Sequence, residues 1–166
     1  AIISNKFPFK VAQSYCKLGD CYFRLGDYYK SIDFYLKGLP LLEKHGTRRS
    51  ILFHYVMFSY NCNQMQTKES TTLGIKYLMR GDSIIRNTSN LKARESTISD
   101  IYGALANLYS LNFEYDFNKA KHFYNQEINR ALKNGDSLAL IDHHMNIGEL
   151  YLGEKKLDSS IFHLKK

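Results

Sequence analysis

The sequence predicts an all-α fold built from four helix–turn–helix units, and three observations carry that expectation. The first is an internal repeat. Apolar or small residues at i, i+3, i+4 and i+7 mark one helix face at Tyr15, Leu18, Gly19 and Tyr22, at Tyr102, Leu105, Ala106 and Tyr109, and at His144, Ile147, Gly148 and Tyr151. A weaker copy stands at Phe58, Asn61, Cys62 and Met65. The copies begin at residues 15, 58, 102 and 144, steps of 43, 44 and 42, so "LGDCYFRLGDYYKSIDFYLK" from Leu18 returns three periods later as "IGELYLGEKKLDSSIFHLKK" from Ile147. The second observation is that only two prolines occur, Pro8 and Pro40, which leaves long stretches free to be helical. The third is that no sustained period-two alternation bounded by turns is found, so strands are not supported.

Each copy is followed by a second helical stripe. After the first, Gly26 breaks the helix, Asp27 offers an N-cap, and Ser31, Ile32, Tyr35, Gly38 and Leu39 follow, with Gly46 as the stop. The second copy leads through "QTKESTT" to Gly74, Ile75, Leu78, Gly81 and Asp82. The third leads past the N-cap Asp116 to Ala120, Phe123, Tyr124 and Ile128, ended by Asn134-Gly135; the fourth leads to Ser160, Ile161 and Leu164. Helices are therefore expected near 8–25, 28–45, 48–66, 71–87, 91–111, 117–134, 137–152 and 156–166, grouped as one domain over 1–166 with repeats near 11–46, 47–88, 89–135 and 136–166. Gly19, Cys62, Ala106 and Gly148 share one phase, where small residues let two helices approach closely.

Composition limits the function. The chain has 166 residues, 44% of them hydrophobic, enough for a globular core, and no apolar run long enough to span a membrane. It opens "AIISNKF" without Met and closes on "HLKK" in a truncated last helix, and reads as a fragment of a longer protein. Cys16, Cys21 and Cys62 are odd in number and lack CxxC spacing, which points to reduced cysteines and a cytoplasmic setting. The six histidines form no HExxH motif and no i, i+4 pair, and the glycines form no phosphate loop. No catalytic residue, metal site or cofactor is expected, and the chain does not read as an enzyme.

With these residues in place, the pattern resembles the tetratricopeptide repeat, W-x2-L-G-x2-Y followed by A-x3-F and Pro. Tyr15, Leu18, Gly19, Tyr22, Ser31 and Tyr35 carry it in the first repeat. Tyr102, Leu105, Ala106, Tyr109, Ala120 and Tyr124 carry it in the third, and His144, Ile147, Gly148, Tyr151, Ser160 and Leu164 in the fourth. The second departs at Asn61 and Met65, and Trp and the closing Pro are missing throughout. The period of about 43 resembles the long-repeat arrays of kinesin light chains and of peptide-sensing bacterial regulators. The resemblance implies a right-handed solenoid of stacked repeats and a protein- or peptide-binding module that senses or scaffolds in signalling. Solenoids offer an extended concave surface. Two other readings stand beside it: a helical repeat that binds nucleic acid through basic surface outside the groove, motivated by the net charge of +7, and a structural module that self-associates through the truncated C-terminal helix.

Number each repeat so that the Leu-Gly pair stands at seven and eight. The resemblance then implies that positions two, five, nine and twelve of the first helix line the concave groove, with six and thirteen at its edge. These six positions in four repeats make 24, among them Val56, Cys16, Ser59, Met145, Ser110, Leu152, Leu111 and Gly153. Charged members are the acids Asp20, Asp100, Asp142 and Glu149 and the bases Lys17 and Arg24. The groove is net negative although the chain is basic. That favours a neutral or basic peptide and disfavours nucleic acid in the groove, with Asn63, Asn107 and Asn146 available to hydrogen-bond a peptide backbone. The alternative reading of Asp20 and Arg24 is an i, i+4 surface pair.

Overall fold

The computed structural model describes residues 7–89, 91–110 and 113–166, with 91–99 described by backbone alone. Among the described residues there are eight α-helices and no strand: α1 (Pro8–Arg24), α2 (Tyr28–His45), α3 (Arg48–Met65), α4 (Lys68–Arg86), α5 (Leu91–Tyr109), α6 (Phe117–Asn134), α7 (Ser137–Gly153) and α8 (Leu157–Leu164). The all-α expectation holds, and within each unit consecutive helices pack as stacked helical repeats require.

Local chemistry sets the boundaries. Pro8 begins α1, where its missing N–H costs nothing. Asp27, Asp116 and Asp136 each accept a hydrogen bond from the backbone N–H three residues on, at 3.0–3.1 Å, and so cap α2, α6 and α7. α6 ends on Gly135 in the left-handed region, φ 68°. Only α4 starts clearly earlier than its apolar stripe predicts. Thr67 and Ser70 form a capping box, with each side chain meeting the other's backbone N–H, and this carries the helix back to Lys68. The expected end of α5 at Leu111 falls outside the described residues.

The chain divides into two compact units, Ala1–Thr97 and Ile98–Lys166. In the first, α1 pairs with α2, α2 with α3 and α3 with α4. Its core gathers Ala12, Cys16, Tyr35, Leu39, Leu42, Ile51, Tyr55, Phe58, Cys62 and Tyr77. A polar clasp crosses the three later helices: Tyr55 donates to Glu43 Oε1 at 2.6 Å, and Arg80 donates to the same oxygen at 2.9 Å.

The buried face of α1 differs from the expected stripe. Ala12, Cys16 and Gly19 are the buried residues of the helix, while Leu18 is 43% exposed and Tyr15 and Tyr22 are half-buried against Phe34. The reason is the crossing with α2. Gly38 lies so close that a Cβ there would stand 2.7 Å from Cys16 Sγ and 3.0 Å from the Ala12 carbonyl oxygen. Position five, expected on the groove face, is therefore core in this unit: Cys16 is buried on α1 and Ser59 on α3, and Val56 at position two is buried as well. Burial pushes both the Cys16 and Cys62 thiols up to about 12, so neither is a thiolate nucleophile. Cys21 is exposed.

Asn61, the departure in the second repeat, is fully buried, and its amide is satisfied, as a buried polar group must be. Nδ2 donates to the Met57 carbonyl at 2.9 Å, and Oδ1 meets the Ser31 hydroxyl. That hydroxyl also lies 2.7 Å from the Gly19 carbonyl oxygen, so its single proton serves one acceptor at a time. One serine thus joins α1, α2 and α3 at the point where this repeat carries an amide and the others Leu or Ile.

In the second unit, Tyr102 and Tyr109 of α5 pack on Phe123 of α6, with ring centres 5.4 and 6.0 Å apart. α6 packs on α7 and α7 on α8. Gly19 and Gly148, expected to be packed against a neighbouring helix, are both buried; a Cβ on Gly148 would stand 2.9 Å from the Leu164 side chain. Ile161 and Leu164 are poorly covered, as expected: they are 48% and 52% exposed, beside exposed Leu157 and Phe162.

The α7–α8 contact carries a pH-sensitive element that the sequence did not reveal. His144 Nδ1 and His163 Nδ1 face each other at 2.9 Å, and His163 stacks on Tyr151. Such a contact needs one neutral imidazole as acceptor. Both rings are held below the ordinary imidazole range, first by burial; then Lys166 and His143 oppose protonation of His144, and His144 and Lys121 that of His163. A histidine with a depressed folded pKa gives stability that is present above its unfolded value of about 6.5 and is lost as pH falls through the folded value. The urea midpoint of the chain is therefore expected to be lower at pH 5.5 than at pH 7.5. The double substitution His144→Gln/His163→Gln is expected to flatten that difference. An unchanged pH profile in the double variant would show the pair to be inert.

Candidate functional site

The second unit holds a cavity of about 430 Å³ lined by Ser110, Tyr115, Tyr124, Asn146, Glu149, Leu150, Gly153 and Glu154. It is built where the end of α5, the segment before α6, the first turns of α6 and the C-terminal half of α7 converge. Four of the lining residues, Ser110, Asn146, Glu149 and Gly153, occupy the expected groove positions twelve, six, nine and thirteen. The others come from tertiary placement. Tyr115 donates to Glu154 Oε1 at 2.6 Å, tying the segment before α6 to the end of α7. Desolvation, followed by the Glu154 carboxylate, pushes the Tyr115 phenol up to about 12. Lys156 stands 3.5 Å from Glu154 Oε2 and 4.0 Å from the Phe117 ring centre.

Tyr124 donates to Asn107 Oδ1 at 2.8 Å, and burial raises its phenol pKa. The first repeat has the same arrangement: Tyr35, in the matching place on α2, donates to Asp20. Position nine is thus latched to the second helix of its own hairpin in the first and third repeats. In the second and fourth the matching second-helix residues are Leu78 and Leu164, which have no hydroxyl to donate. Asn63 is half-buried and Glu149 is exposed, and neither side chain has a described hydrogen-bond or ion-pair partner.

The nine charged and amide residues expected in one groove are therefore sorted by the structure. In the second unit, Asn146 and Glu149 line the cavity, and Asn107 stands behind Tyr124. Asp142 is exposed on α7 outside the lining. Asp100 belongs to a different group: partial desolvation and then the charge of Glu127 raise its pKa, and Arg130 opposes them. In the first unit, Asp20 is engaged by Tyr35, Lys17 and Arg24 are exposed, and Asn63 is half-buried. Asp20 has no described ion pair with Arg24; the tyrosine latch takes the place of that surface pair.

No sequence pattern marked the buried Glu127. It is fully inaccessible, with Arg130 Nε 3.3 Å and His143 Nε2 3.6 Å from Oε2. Proximity suggests an ion pair with His143, yet burial outweighs the attraction of Glu127 and holds that imidazole below its ordinary range. Among the described residues Arg130 is the nearer cation. Among the described residues no group of three or more His, Cys, Asp or Glu side chains is placed to hold a metal, and no helix is long and apolar enough to cross a membrane.

The structure is one of consecutive helical hairpins, with a polar cavity where the third and fourth meet. Residues 12–40, which form most of α1 and the first part of α2, match the tetratricopeptide repeat family. That match covers one repeat; together with the all-helical repeat structure it makes the chain similar to tetratricopeptide-repeat proteins, which generally bind proteins or peptides and are generally non-catalytic. Comparison with curated proteins gives no match.

Proposed function

We propose that the chain is a protein- or peptide-binding module, the sensing or scaffolding part of a bacterial signalling or regulatory protein, and that its ligand is a neutral or basic peptide seated in the cavity of the second unit. The observation that carries this reading is the cavity itself. It is large enough for side chains of a ligand, lined by polar and apolar surface together, and holds the side chains of Asn146 and Glu149 without a described partner. Its lining contains two carboxylates and no lysine or arginine, which argues against a nucleic acid there.

The test is capture of labelled full chain by an array of random hexapeptides, with hydrogen exchange to map the bound face. Binding is expected to protect the backbone around Asn146–Gly153. Asn146→Ala is expected to weaken capture by about two- to tenfold, the worth of one or two hydrogen bonds. Asn107→Ala, which removes the acceptor of Tyr124, is expected to lower stability before it touches affinity. Absence of capture, or protection confined to other helices, would overturn the proposal. Because α8 exposes Leu157, Ile161, Phe162 and Leu164, self-association is the second reading, and sedimentation across concentration accompanies the binding measurement to separate the two.

A further inference from the structure

We infer that the cavity of the second unit recognises the cationic side chain of a lysine or arginine in the bound peptide, with Glu149 as the recognising carboxylate. The inference rests on the peptide-binding reading and goes beyond it by assigning the charge, the residue and the reason that residue is available. The reason lies in the comparison between repeats. Asp20 and Asn107 hold the same position in their hairpins as Glu149, and each accepts a hydrogen bond from a tyrosine of the second helix. Leu164 stands where that tyrosine would be. The latch is therefore missing in the fourth hairpin, and Glu149, which has no described partner, presents its carboxylate to the cavity.

Glu154 on the cavity wall is already served by the Tyr115 hydroxyl at 2.6 Å and by Lys156 at 3.5 Å. Glu149 is thus the uncompensated acid of the lining. The nearby phenols give a guest cation more than one carboxylate to meet: Tyr115 and Tyr124 both line the space, and aromatic faces attract ammonium and guanidinium groups. Two carboxylates, one of them engaged, fall short of the six or more oxygens a calcium or magnesium site needs. An organic cation, held by one charge-assisted bond and ring faces, fits the donors present. Beside the cavity, Met145 and Leu152 of α7 are each about half exposed and suit an apolar residue next to the cationic one.

The experiment uses the full chain on an array of random hexapeptides in which one position is fixed in turn as arginine, lysine, citrulline, glutamine or glutamate. Arginine and lysine are expected to retain roughly tenfold more protein than citrulline and glutamine, with glutamate lowest. Glu149→Gln is expected to abolish that preference, and Asp142→Asn, at an exposed acid outside the lining, to preserve it. Equal capture of arginine and citrulline peptides, or an intact preference in Glu149→Gln, overturns the inference. Should neutral peptides be captured equally and Asn146→Ala still weaken them, the peptide-binding reading stands while the cationic one falls; no capture of any peptide defeats both.

Discussion

Replacing Arg130 by methionine is expected to destabilise the chain by roughly 3–5 kcal/mol. The reason is what it leaves behind. Glu127 is fully inaccessible, Arg130 is only 19% exposed, and the guanidinium Nε lies 3.3 Å from the carboxylate. His143, at 3.6 Å, is held below its ordinary imidazole range by burial, against the attraction of Glu127, and Arg130 lowers it further. Methionine keeps the bulk of the side chain but takes one cation from the buried carboxylate, and a buried negative charge short of compensation is far more costly than a missing surface pair. Adding Glu127→Gln to Arg130→Met removes that charge and is expected to recover most of the loss. Urea unfolding of the single and double variants measures both. A single variant as stable as the parent, or a double variant no better than the single, would show that the pair is not what holds this part of α6.

Gly19→Leu is expected to cost roughly 1–3 kcal/mol or more. A Cβ on Gly19 would stand 2.5 and 2.7 Å from two atoms of the Tyr35 ring and 3.2 Å from the Ser31 carbonyl oxygen. The ring cannot move aside cheaply. Tyr35 is fully buried, its hydroxyl is held by Asp20, and it packs on Phe58 at 5.6 Å. Pushing it away disturbs α1, α2 and α3 at once. Gly103 provides the contrast, since a Cβ there meets nothing within 4 Å. Gly103→Ala is expected to stabilise α5 by about 0.5–1 kcal/mol, the cost of glycine in a helix interior. Thermal unfolding that left Gly19→Leu unchanged would mean that α1 and α2 cross elsewhere.

The sequence by itself determined the helices and their pairing, because both depend on local and periodic signals. Asp27, Asp116 and Gly135 act within a turn of where they stand, and small residues at Gly19 and Gly148 register a packing constraint that each hairpin must meet again. Periodicity also pointed to Asn146 and Glu149. It could not tell Glu149 from Asp20 and Asn107, which share position nine. That distinction lies in whether a tyrosine or a leucine arrives from the second helix, 15 or 17 residues further on. The same limit explains Leu18 and Cys16. A helical stripe fixes a face to within about a residue's turn of 100°, but the crossing of α1 with α2 at Gly38 decides which edge of the face is covered. Only the tertiary structure brought Tyr115 to Glu154, His144 to His163, and Arg130 and His143 to Glu127. Such contacts join residues on different elements, or depend on what buries them, and burial of charge leaves no period in a sequence.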